Sequence, residues 1–423
     1  MDSDHLEHNR PPDALAGYRI LDFGTAFASP MAAHLLADMG AEVIKIESHT
    51  RLDGLRLGRP LVGEDIAGGD RGEWPEYQPV FHGLNRSKLG ITVNIKHPDG
   101  IELLKRLVRL SDVVISNFSP GVMERAGLGY DVLRAERLDL IYVALPAAGD
   151  SGPLRDLVTY APVIAALAGI SGLVGYSTAS ADFVGTLQVA FCDAVGALHA
   201  VVAILAALRH RQATGEGQAI EVAQWEAAVS MLGEGLLDYV MNGRVLGPIG
   251  NAHPSMVPHN NYRCAGEDAW VAIAVRSEEE WQAFCRATDH PEWADDSRFA
   301  DAYRRRQHCA DLEVLITDWT SQRTPYEAME KLQAAGVAAM PVMSLEDQFR
   351  DPHLRAREIH LESEHPKVGL EFLHGIPWRL SDTPGRIRRP APLLGEHNQY
   401  VFGELLGLPE PEIQRLMEVG AIN

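Results

Sequence analysis

One carboxylate stands where its chemistry would differ from that of a surface acid. Asp193 directly precedes residues 194–208, a 15-residue apolar stretch that predicts a helix in the middle of a large core. An Asp at that place is most simply an N-cap, whose side chain accepts hydrogen bonds from free backbone amides. The same amides and the helix dipole would keep a buried carboxylate ionised, so Asp193 could also be a nucleophile in a dry pocket. Position alone favours the N-cap.

Other motifs that carry chemistry are absent from the sequence. The turn after Phe23 reads Gly-Thr-Ala-Phe-Ala-Ser and lacks the glycines of a dinucleotide-binding loop, and no Walker, HExxH, GxSxG or EF-hand pattern occurs. None of the 17 histidines forms a pair at metal-ligand spacing with a supporting acid, and the four cysteines include no CxxC pair. We therefore expect no metal site and no tightly bound cofactor, and a reducing cytoplasm is the simplest location.

The composition limits the class of protein. The 423 residues carry a formal net charge of −20, with 46% hydrophobic and 23% charged side chains. Such a chain can bury a large core, in two or three domains of about 100–200 residues each. Binders of nucleic acid or of anionic membranes need an excess of cations, so we expect neither partner. Residues 157–181 have the length of a membrane span, but Pro162 and several glycines interrupt them, and we interpret them as a buried helix followed by a glycine-rich loop.

The first part of the chain alternates strands and helices. Ser29 as N-cap, Pro30 at the first helical position and Gly40 just past the end mark the first helix. The predicted elements are strands at 18–23, 42–47, 91–95, 112–116 and 140–145 and helices at 30–39 and 98–110. This alternation predicts an α/β fold with a doubly wound, mostly parallel, Rossmann-like sheet.

The alternation stops after residue 222, which predicts a second domain. The elements predicted from residue 194 onward are helices at 194–211, 224–241, 278–288, 309–319, 325–335 and 399–418 and strands at 219–222 and 270–275. We divide the chain into a disordered tail at 1–15, a large α/β domain at 16–222 with 390–423, a linker helix at 223–247, a smaller α+β domain at 248–345 and a return linker at 346–389. The return linker is rich in charge and proline, which indicates an extended segment.

Several segments together resemble the signature blocks of the family III CoA-transferases, which include formyl-CoA transferase, carnitine CoA-transferase and the alpha-methylacyl-CoA racemases. The blocks occur in the family's order from about residue 16 to residue 408. They are Leu-Asp-Phe at 21–23 with Pro30, Gly-Ala-Glu-Val-Ile-Lys-Ile-Glu at 40–47, Ile-Lys at 95–96 with Pro-Asp-Gly at 98–100, Asn-Phe-Ser-Pro-Gly at 117–121, Gly-Asp-Ser-Gly-Pro at 149–153, Thr-Gly-Glu-Gly-Gln at 214–218 and Ala-Pro-Leu-Leu-Gly-Glu-His at 391–397.

The resemblance implies a covalent mechanism. In formyl-CoA transferase the nucleophile is an Asp in a Gly-Asp pair that opens a buried apolar helix, and Cys192-Asp193 matches that pair. Asp193 would attack an acyl-CoA thioester, form a mixed anhydride and then an aspartyl-CoA thioester, and pass CoA to a carboxylic acid acceptor, a reaction of the EC 2.8.3 type. Acyl-CoA and the carboxylic acid are then the substrates. The positions that match the family's CoA contacts are Lys96, Asn117, Phe118 and Arg125.

We assign Phe27, Tyr160 and Ala161 to the substrate pocket; Tyr160 fits the pattern of the family's transferases, whereas Phe27 and Ala161 depart from it. The racemases have a His-Asp pair where this chain has Tyr160-Ala161, and formyl-CoA transferase has Tyr-Glu there. Family transferases often place a Gln where Phe27 stands. The loss of polar groups at Ala161 and Phe27 indicates a bulkier, less polar acyl group or a subunit that has lost part of its site.

Two alternatives to CoA transfer stay open. One is an acyl-CoA isomerase or racemase that uses Asp193 as an acid/base residue, although Tyr160 supplies no imidazole base. The other is a degenerate subunit that needs a catalytic paralogue, for which Ala161 is the evidence. The resemblance also implies an interlocked dimer in which each chain forms a ring through the other, built as a homodimer or as a heterodimer with a paralogous subunit.

Overall fold

The chain forms two compact units. The computed structural model describes residues 13–57, 74–176, 187 and 189–423. One unit comprises Met1–Ser171, Leu187–Gly243 and Ala356–Asn423, and the other comprises Gly172–Thr186 and Arg244–Arg355. Most of the predicted N-terminal tail, residues 1–12, lies outside the described residues. Leu15, at the end of that predicted tail, is buried, and its amide donates a hydrogen bond to the Met39 carbonyl at 3.0 Å.

The first unit is built on a six-stranded parallel sheet. Its strands are β1 (Arg19–Asp22), β2 (Glu42–Glu47), β3 (Lys88–Thr92), β4 (Val113–Ser116), β5 (Ile141–Ala144) and β6 (Ala219–Glu221). The order within the sheet is β3-β2-β1-β4-β5-β6, and all neighbouring strands are parallel. Because the chain starts in the middle of the sheet and winds outward in both directions, this order confirms the predicted α/β class and the doubly wound sheet.

Helices cover both faces of this sheet. In chain order, the helices up to residue 242 are α1 (Ala28–Asp38), α2 (Pro79–Asn85), α3 (Pro98–Arg109), α4 (Val122–Arg125), α5 (Tyr130–Glu136), α6 (Ala161–Leu167), α7 (Ile170–Leu173), α8 (Phe191–Thr214), α9 (Gln224–Val229) and α10 (Gly233–Asn242). Neighbouring strand residues point to opposite faces. Ile20 therefore packs in the cluster with α1 and α8, whereas Leu21 packs in the cluster with α3 and α5.

The prediction of one buried helix after residue 157 is wrong. The structure has two short helices there, α6 and α7, and Val163 and Leu167 on α6 are exposed. Gly169 separates the two helices with a φ of +86°, a backbone conformation that favours glycine and ends α6. The predicted glycine-rich loop continues through residues 177–181, which lie outside the described residues.

The long helix α8 owes its composition to its position in the core. Among the described residues, it is the one helix long and apolar enough to cross a membrane by length and composition. It packs against α1 and β5, and Ala197, Ala200 and Ile204 are fully buried. Its small residues allow α1 to approach closely, which accounts for the run of alanines.

The second unit has its own antiparallel sheet and core. Strands β7 (His259–Arg263), β8 (Trp270–Ala274) and β9 (Ala338–Pro341) pair in that order. The helices that follow α10 are α11 (Glu278–Ala287), α12 (Glu292–Asp295), α13 (Ala302–Gln307), α14 (Cys309–Thr320), α15 (Pro325–Ala334), α16 (Leu345–Arg350) and α17 (Pro352–Ala356). Trp281, Phe284 and Phe299 form the centre of the core between sheet and helices.

The return segment is not simply extended, as the sequence predicts, because it contains a hairpin. Strands β10 (His360–His365) and β11 (Gly369–His374) pair antiparallel, and the His365 side chain accepts from the amides of Lys367 and Val368 at the turn. The strands of this hairpin carry many charged residues, so their sequence does not show the apolar pattern of a buried strand. The segment then leads to a π-helix at Gln399–Leu405 and to α18 (Glu410–Glu418), whose Ile413 and Leu416 pack in the cluster of Leu21.

One buried ion pair joins β1 and β3, and a second joins β2 to the segment that follows it. The Lys88 ammonium lies 2.8 Å from the Asp22 carboxylate, and the Lys45 ammonium lies 2.9 Å from the Asp53 carboxylate. All four side chains are at most 1% exposed. Burial lowers the pKa of Lys88 to about 8, and Asp22 opposes that shift. Burial would raise the pKa of Asp22, but the charges of Lys88 and Lys45 hold it below its ordinary value.

We expect Asp22→Asn to destabilise the fold strongly. The amide keeps the size of the carboxylate but leaves the Lys88 charge buried without a counterion, which costs about 3–5 kcal/mol. The control is Glu102→Gln, because the Glu102–Arg109 pair is solvent-exposed and 3.5 Å apart and such pairs contribute about 0–1 kcal/mol. Urea unfolding at one protein concentration measures both variants. Equal unfolding midpoints for the two would show that the buried pair is unimportant.

Candidate active site

The predicted site residues gather along one edge of the parallel sheet. Ligands of open α/β sheets bind outside the carboxyl ends of the strands, where the loops after β1 to β4 leave the sheet. The site residues carried by these loops are Phe27, Lys96, Asn117 and Phe118. Helix α8 begins at the same edge, because Gly196 in its second turn packs against Gln224, which follows β6 and opens α9. The topology therefore brings the amino end of α8 to the edge that holds these loops.

A cavity of about 220 Å³ lies at this edge. Apolar side chains from the ends of β1, β2 and β3, among them Phe23, Ile46 and Val93, form part of its lining. Lys96 and Phe118, two of the predicted CoA contacts, line it as well. Pockets that bury drug-sized ligands occupy about 300–1,000 Å³, so this cavity has room for one end of a molecule as long as CoA.

The loop after β2 also lines the cavity, and the sequence analysis missed it. Residues 47–51 contribute Glu47, Ser48, Thr50 and Arg51. Arg56 binds the Glu47 carboxylate at 2.9 Å, so this acid is neutralised within the protein. The Arg51 guanidinium lies over the Phe118 ring, 5.6 Å from its centroid. The sequence did contain a signal for this loop: a polar stretch directly follows the apolar strand β2, at the edge of the sheet where ligands bind.

The other two predicted CoA contacts lie outside the cavity lining. The Asn117 side chain joins two loops, since its oxygen accepts from the Thr25 amide at 2.9 Å and its nitrogen donates to the Thr25 carbonyl at 2.8 Å. Asn117 thereby ties the end of β4 to the loop after β1, across the point where the winding direction of the sheet reverses. Arg125 is exposed at the end of α4.

The loop that carries Phe27 is held by buried charge. Ala26 has a φ of +58°, an uncommon conformation for a residue with a side chain. Its amide donates to the Asp53 carboxylate at 2.9 Å, and Lys45 contacts both Asp53 and the Gly24 carbonyl. Phe27 follows, half-buried, directly before α1. A lysine in the middle of the apolar strand β2 was a signal in the sequence, because a buried ammonium requires an acidic partner.

Asp193 lies inside α8 and is not its N-cap. Ala190 occupies the N-cap position, and the Ala194 amide already donates to the Ala190 carbonyl at 3.0 Å. Asp193 is thus the third helical residue, half-buried, and its carboxylate forms no ion pair with any side chain in the described part of the protein. Burial raises its pKa to about 6. Burial and the Asp193 charge together raise the pKa of the Cys192 thiol, so Cys192 is the weaker candidate nucleophile.

Tyr160 and Ala161 stand at the start of α6, which packs against α8. The Tyr160 side chain is 77% exposed, and Ala161 is half-buried. The structure therefore brings the helix of these substrate-pocket candidates next to the helix of Asp193.

The side chains of this site could support a reaction in which a carboxylate acts on an anionic ligand. It contains a partly desolvated carboxylate in a helix first turn, and cationic side chains at a cavity along the same edge of the sheet. Across residues 13–57, 74–176, 187 and 189–423, no group of three His, Cys, Asp or Glu side chains is placed to hold a metal ion.

Comparisons with known proteins agree with this architecture. The sequence model described as CoA-transferase family III matches residues 15–398. Succinyl-CoA–D-citramalate CoA-transferase of Chloroflexus aurantiacus is 32% identical over 97% of this chain and 98% of its own length. The succinyl-CoA–L-malate CoA-transferase beta subunit of the same organism is 33% identical over 95% of this chain and 96% of its own length.

A solved structure shares the fold. The CAIB/BAIF family protein from Brucella suis superposes with a TM-score of 0.83 at 30% identity, over 93% of this chain and 100% of its own. Because the family match and the relatives extend over nearly the whole length, the chain belongs to CoA-transferase family III.

Proposed function

We propose that this protein moves CoA from an acyl-CoA donor to a free carboxylic acid, with Asp193 as the covalent nucleophile. The observation that carries the proposal is the position of Asp193, a half-buried carboxylate in the first turn of α8, where burial raises its pKa to about 6. A carboxylate with that pKa is still ionised at neutral pH, yet burial has removed part of the water shell that would weaken its attack. The names of both relatives begin with succinyl-CoA, which makes succinyl-CoA the first donor to test.

The proposed transfer consists of two steps, which the acceptor then reverses, and no acyl group or thiol is lost on the way. An Asp193 oxygen attacks the thioester carbonyl, which forms a mixed anhydride and releases CoA thiolate. The thiolate attacks the Asp193 carbonyl, so that the donor acid leaves and an aspartyl-CoA thioester remains. The acceptor carboxylate then reverses the two steps and leaves with CoA. Tyr160, in the place of the racemases' His, offers no imidazole for α-proton removal, which favours transfer over racemisation.

We expect Asp193→Asn to abolish transfer. The variant keeps the size of the side chain but removes the nucleophilic anion, so transfer should fall by at least about 10³-fold while folding survives. Intact-mass analysis after addition of succinyl-CoA and related acyl-CoAs should detect a covalent CoA adduct on the unmodified protein and none on the variant. Asp131→Asn is the matched control, because Asp131 also lies in a helix first turn but is exposed. Unchanged transfer in folded Asp193→Asn would refute the mechanism.

The first half-reaction should depend on pH near 6. The pKa of Asp193 is raised, so the reactive anion predominates above pH 6 and its fraction falls about tenfold per pH unit below it. The rate of CoA-adduct formation should therefore rise from pH 5 to a plateau near pH 7. Near-ultraviolet circular dichroism at each pH controls for unfolding. A rate that stays level down to pH 5 would indicate an Asp193 with an ordinary pKa.

The apolar surface of the first unit supports an obligate dimer. On α8, Leu198, Val202 and Leu205 follow helical spacing and are 48%, 68% and 42% exposed. Helix α10 exposes Leu236, Leu237, Val240 and Met241. Exposed apolar side chains in such numbers are typical of surfaces that bind a partner. We propose that a second chain covers them, in the interlocked arrangement that the family resemblance implies; a beta subunit among the relatives supports a paralogue as well as an identical chain.

We expect the dimer to persist at nanomolar concentration until it unfolds. An interlocked dimer buries far more than the roughly 1,600 Å² of an ordinary interface, so a folded monomer should not be populated. Mass photometry and sedimentation measure the assembly, and mass spectrometry of the purified sample separates one kind of chain from two. A folded 46.3 kDa monomer would contradict the proposed assembly.

A further inference from the structure

The hairpin of the return segment leaves one edge of strand β10 unpaired. β10 and β11 form a two-stranded sheet. The Gly375 amide donates to the Ile359 carbonyl at 2.6 Å, and hydrogen-bonded pairs of this kind alternate with non-bonded pairs along an antiparallel ladder. The backbone groups of Glu362 and Glu364 therefore point away from β11. Within the described part of the chain, their amides donate to no acceptor.

A groove of about 770 Å³ runs along this free edge, and we call it the β10 groove. The consecutive residues 361–364 line one side of it. Since neighbouring residues of a strand face opposite sides of the sheet, only the edge of β10 can present all of them to one groove. β11, which is described over its whole length, contributes no lining residue. The opposite wall comes from residues between 376 and 390, so the groove has room for a strand that pairs with β10.

The β10 groove is rich in arginine. Arg388 and Arg386, which line it, bind the Asp13 carboxylate at 2.7 and 3.2 Å, so this wall already accepts a carboxylate. Two further lining residues, Arg357 and Arg389, form no ion pair with any carboxylate that the structure describes. These cations lie together in a chain whose net charge is −20. An excess of cations along one groove favours an acidic partner.

The two faces of β10 differ in what they would accept beside them. Glu362 and Glu364 are exposed, whereas Leu361 and Ser363 are half-buried on the opposite face. Charged residues on an edge strand oppose pairing, and these two glutamates would repel an acid directly beside them. The arginine wall belongs to the segment of Trp378, which packs in the cluster of α1 and α8 and so lies on the inner side. A matching strand would therefore alternate acidic with uncharged residues.

We propose that the β10 groove binds an extended, acidic segment of a partner protein as a third strand on β10. The backbone of the segment would pair with the groove-facing amides and carbonyls of β10, as peptides do when they add to a sheet edge. Its acidic side chains would bind the arginines through charge-assisted hydrogen bonds. The inference does not depend on the proposed function, because the described lining residues of this groove and of the cavity at the edge of the first sheet have no member in common.

A short labelled peptide of alternating Thr and Glu tests the inference by fluorescence anisotropy on the full-length protein. The peptide should bind saturably with a dissociation constant below about 1 mM. A peptide of alternating Thr and Lys has the same backbone but the opposite charge, so it should not bind. Replacing both Arg357 and Arg389 by Gln should weaken binding of the acidic peptide about tenfold, the effect of two partly exposed ion pairs.

Glu362→Pro separates strand addition from simple charge attraction. The Glu362 amide points into the groove, so proline should remove a donor for the peptide while the ladder between β10 and β11 persists. Affinity for the acidic peptide should then fall about tenfold. Glu362→Thr is the matched control, because it removes the same charge but keeps the amide. This control should bind the acidic peptide at least as tightly as the unmodified protein does.

The inference would be overturned by any of three results. They are no saturable binding of the acidic peptide up to about 1 mM, equal binding of the Thr-Lys peptide, and unchanged affinity in Glu362→Pro. A second chain that covers the groove in the assembled protein would produce the first of these. Thermal melting checks that each variant folds. CoA transfer, measured in parallel, should be the same in all variants, so failure of this inference leaves the proposed function intact.

Discussion

The structure depends on two ammonium groups buried on the neighbouring strands β2 and β3 of its parallel sheet. Lys88 and Lys45 are out of contact with water, so each must be compensated where it lies, by Asp22 and Asp53. The same carboxylates accept backbone amides, Asp22 from Gly24 and Asp53 from Ala26. The requirement to neutralise the lysines therefore fixes the loop after β1, which leads to Phe27. The same two carboxylates therefore neutralise the buried lysines and set the geometry of the loop at the site.

Asp193 lies at the terminus of a helix, but its carboxylate does not cap that helix. At the N-cap position its oxygens would accept hydrogen bonds from backbone amides, which would lower the pKa of the carboxylate and its reactivity. As the third helical residue it still lies in the first turn, but burial dominates and raises the pKa to about 6. The apolar character of α8 has two consequences. It dries the surroundings of the carboxylate, and it leaves exposed apolar side chains such as Val202 that need a partner surface.

Much of the fold was available from the sequence because its signals are local. Pro30 and Gly40 predicted the first helix to within two residues at each end, but it begins at Ala28, and the predicted N-cap Ser29 lies inside it and donates to Asp22. The alternation of apolar strands with helices predicted the parallel sheet that β1 to β6 form. The segments where the prediction was wrong lack such signals. Strand β3 begins at Lys88, a charged residue that enters the core only with Asp22 as its partner. Strand β10 of the hairpin has one apolar residue, Leu361, among polar and charged ones.

The sequence by itself determined the family, the doubly wound sheet and the candidacy of Asp193, since each depends on residue types at fixed spacing along the chain. Only the tertiary structure decided which side chains share a surface. Arg51 and Phe118 are far apart in sequence and meet because β2 and β4 flank β1, so that their carboxyl ends open at one edge. Asn423 reaches Ser48 only after the end of the chain packs back on the first sheet. Contacts of this kind follow from strand order, which no local pattern encodes.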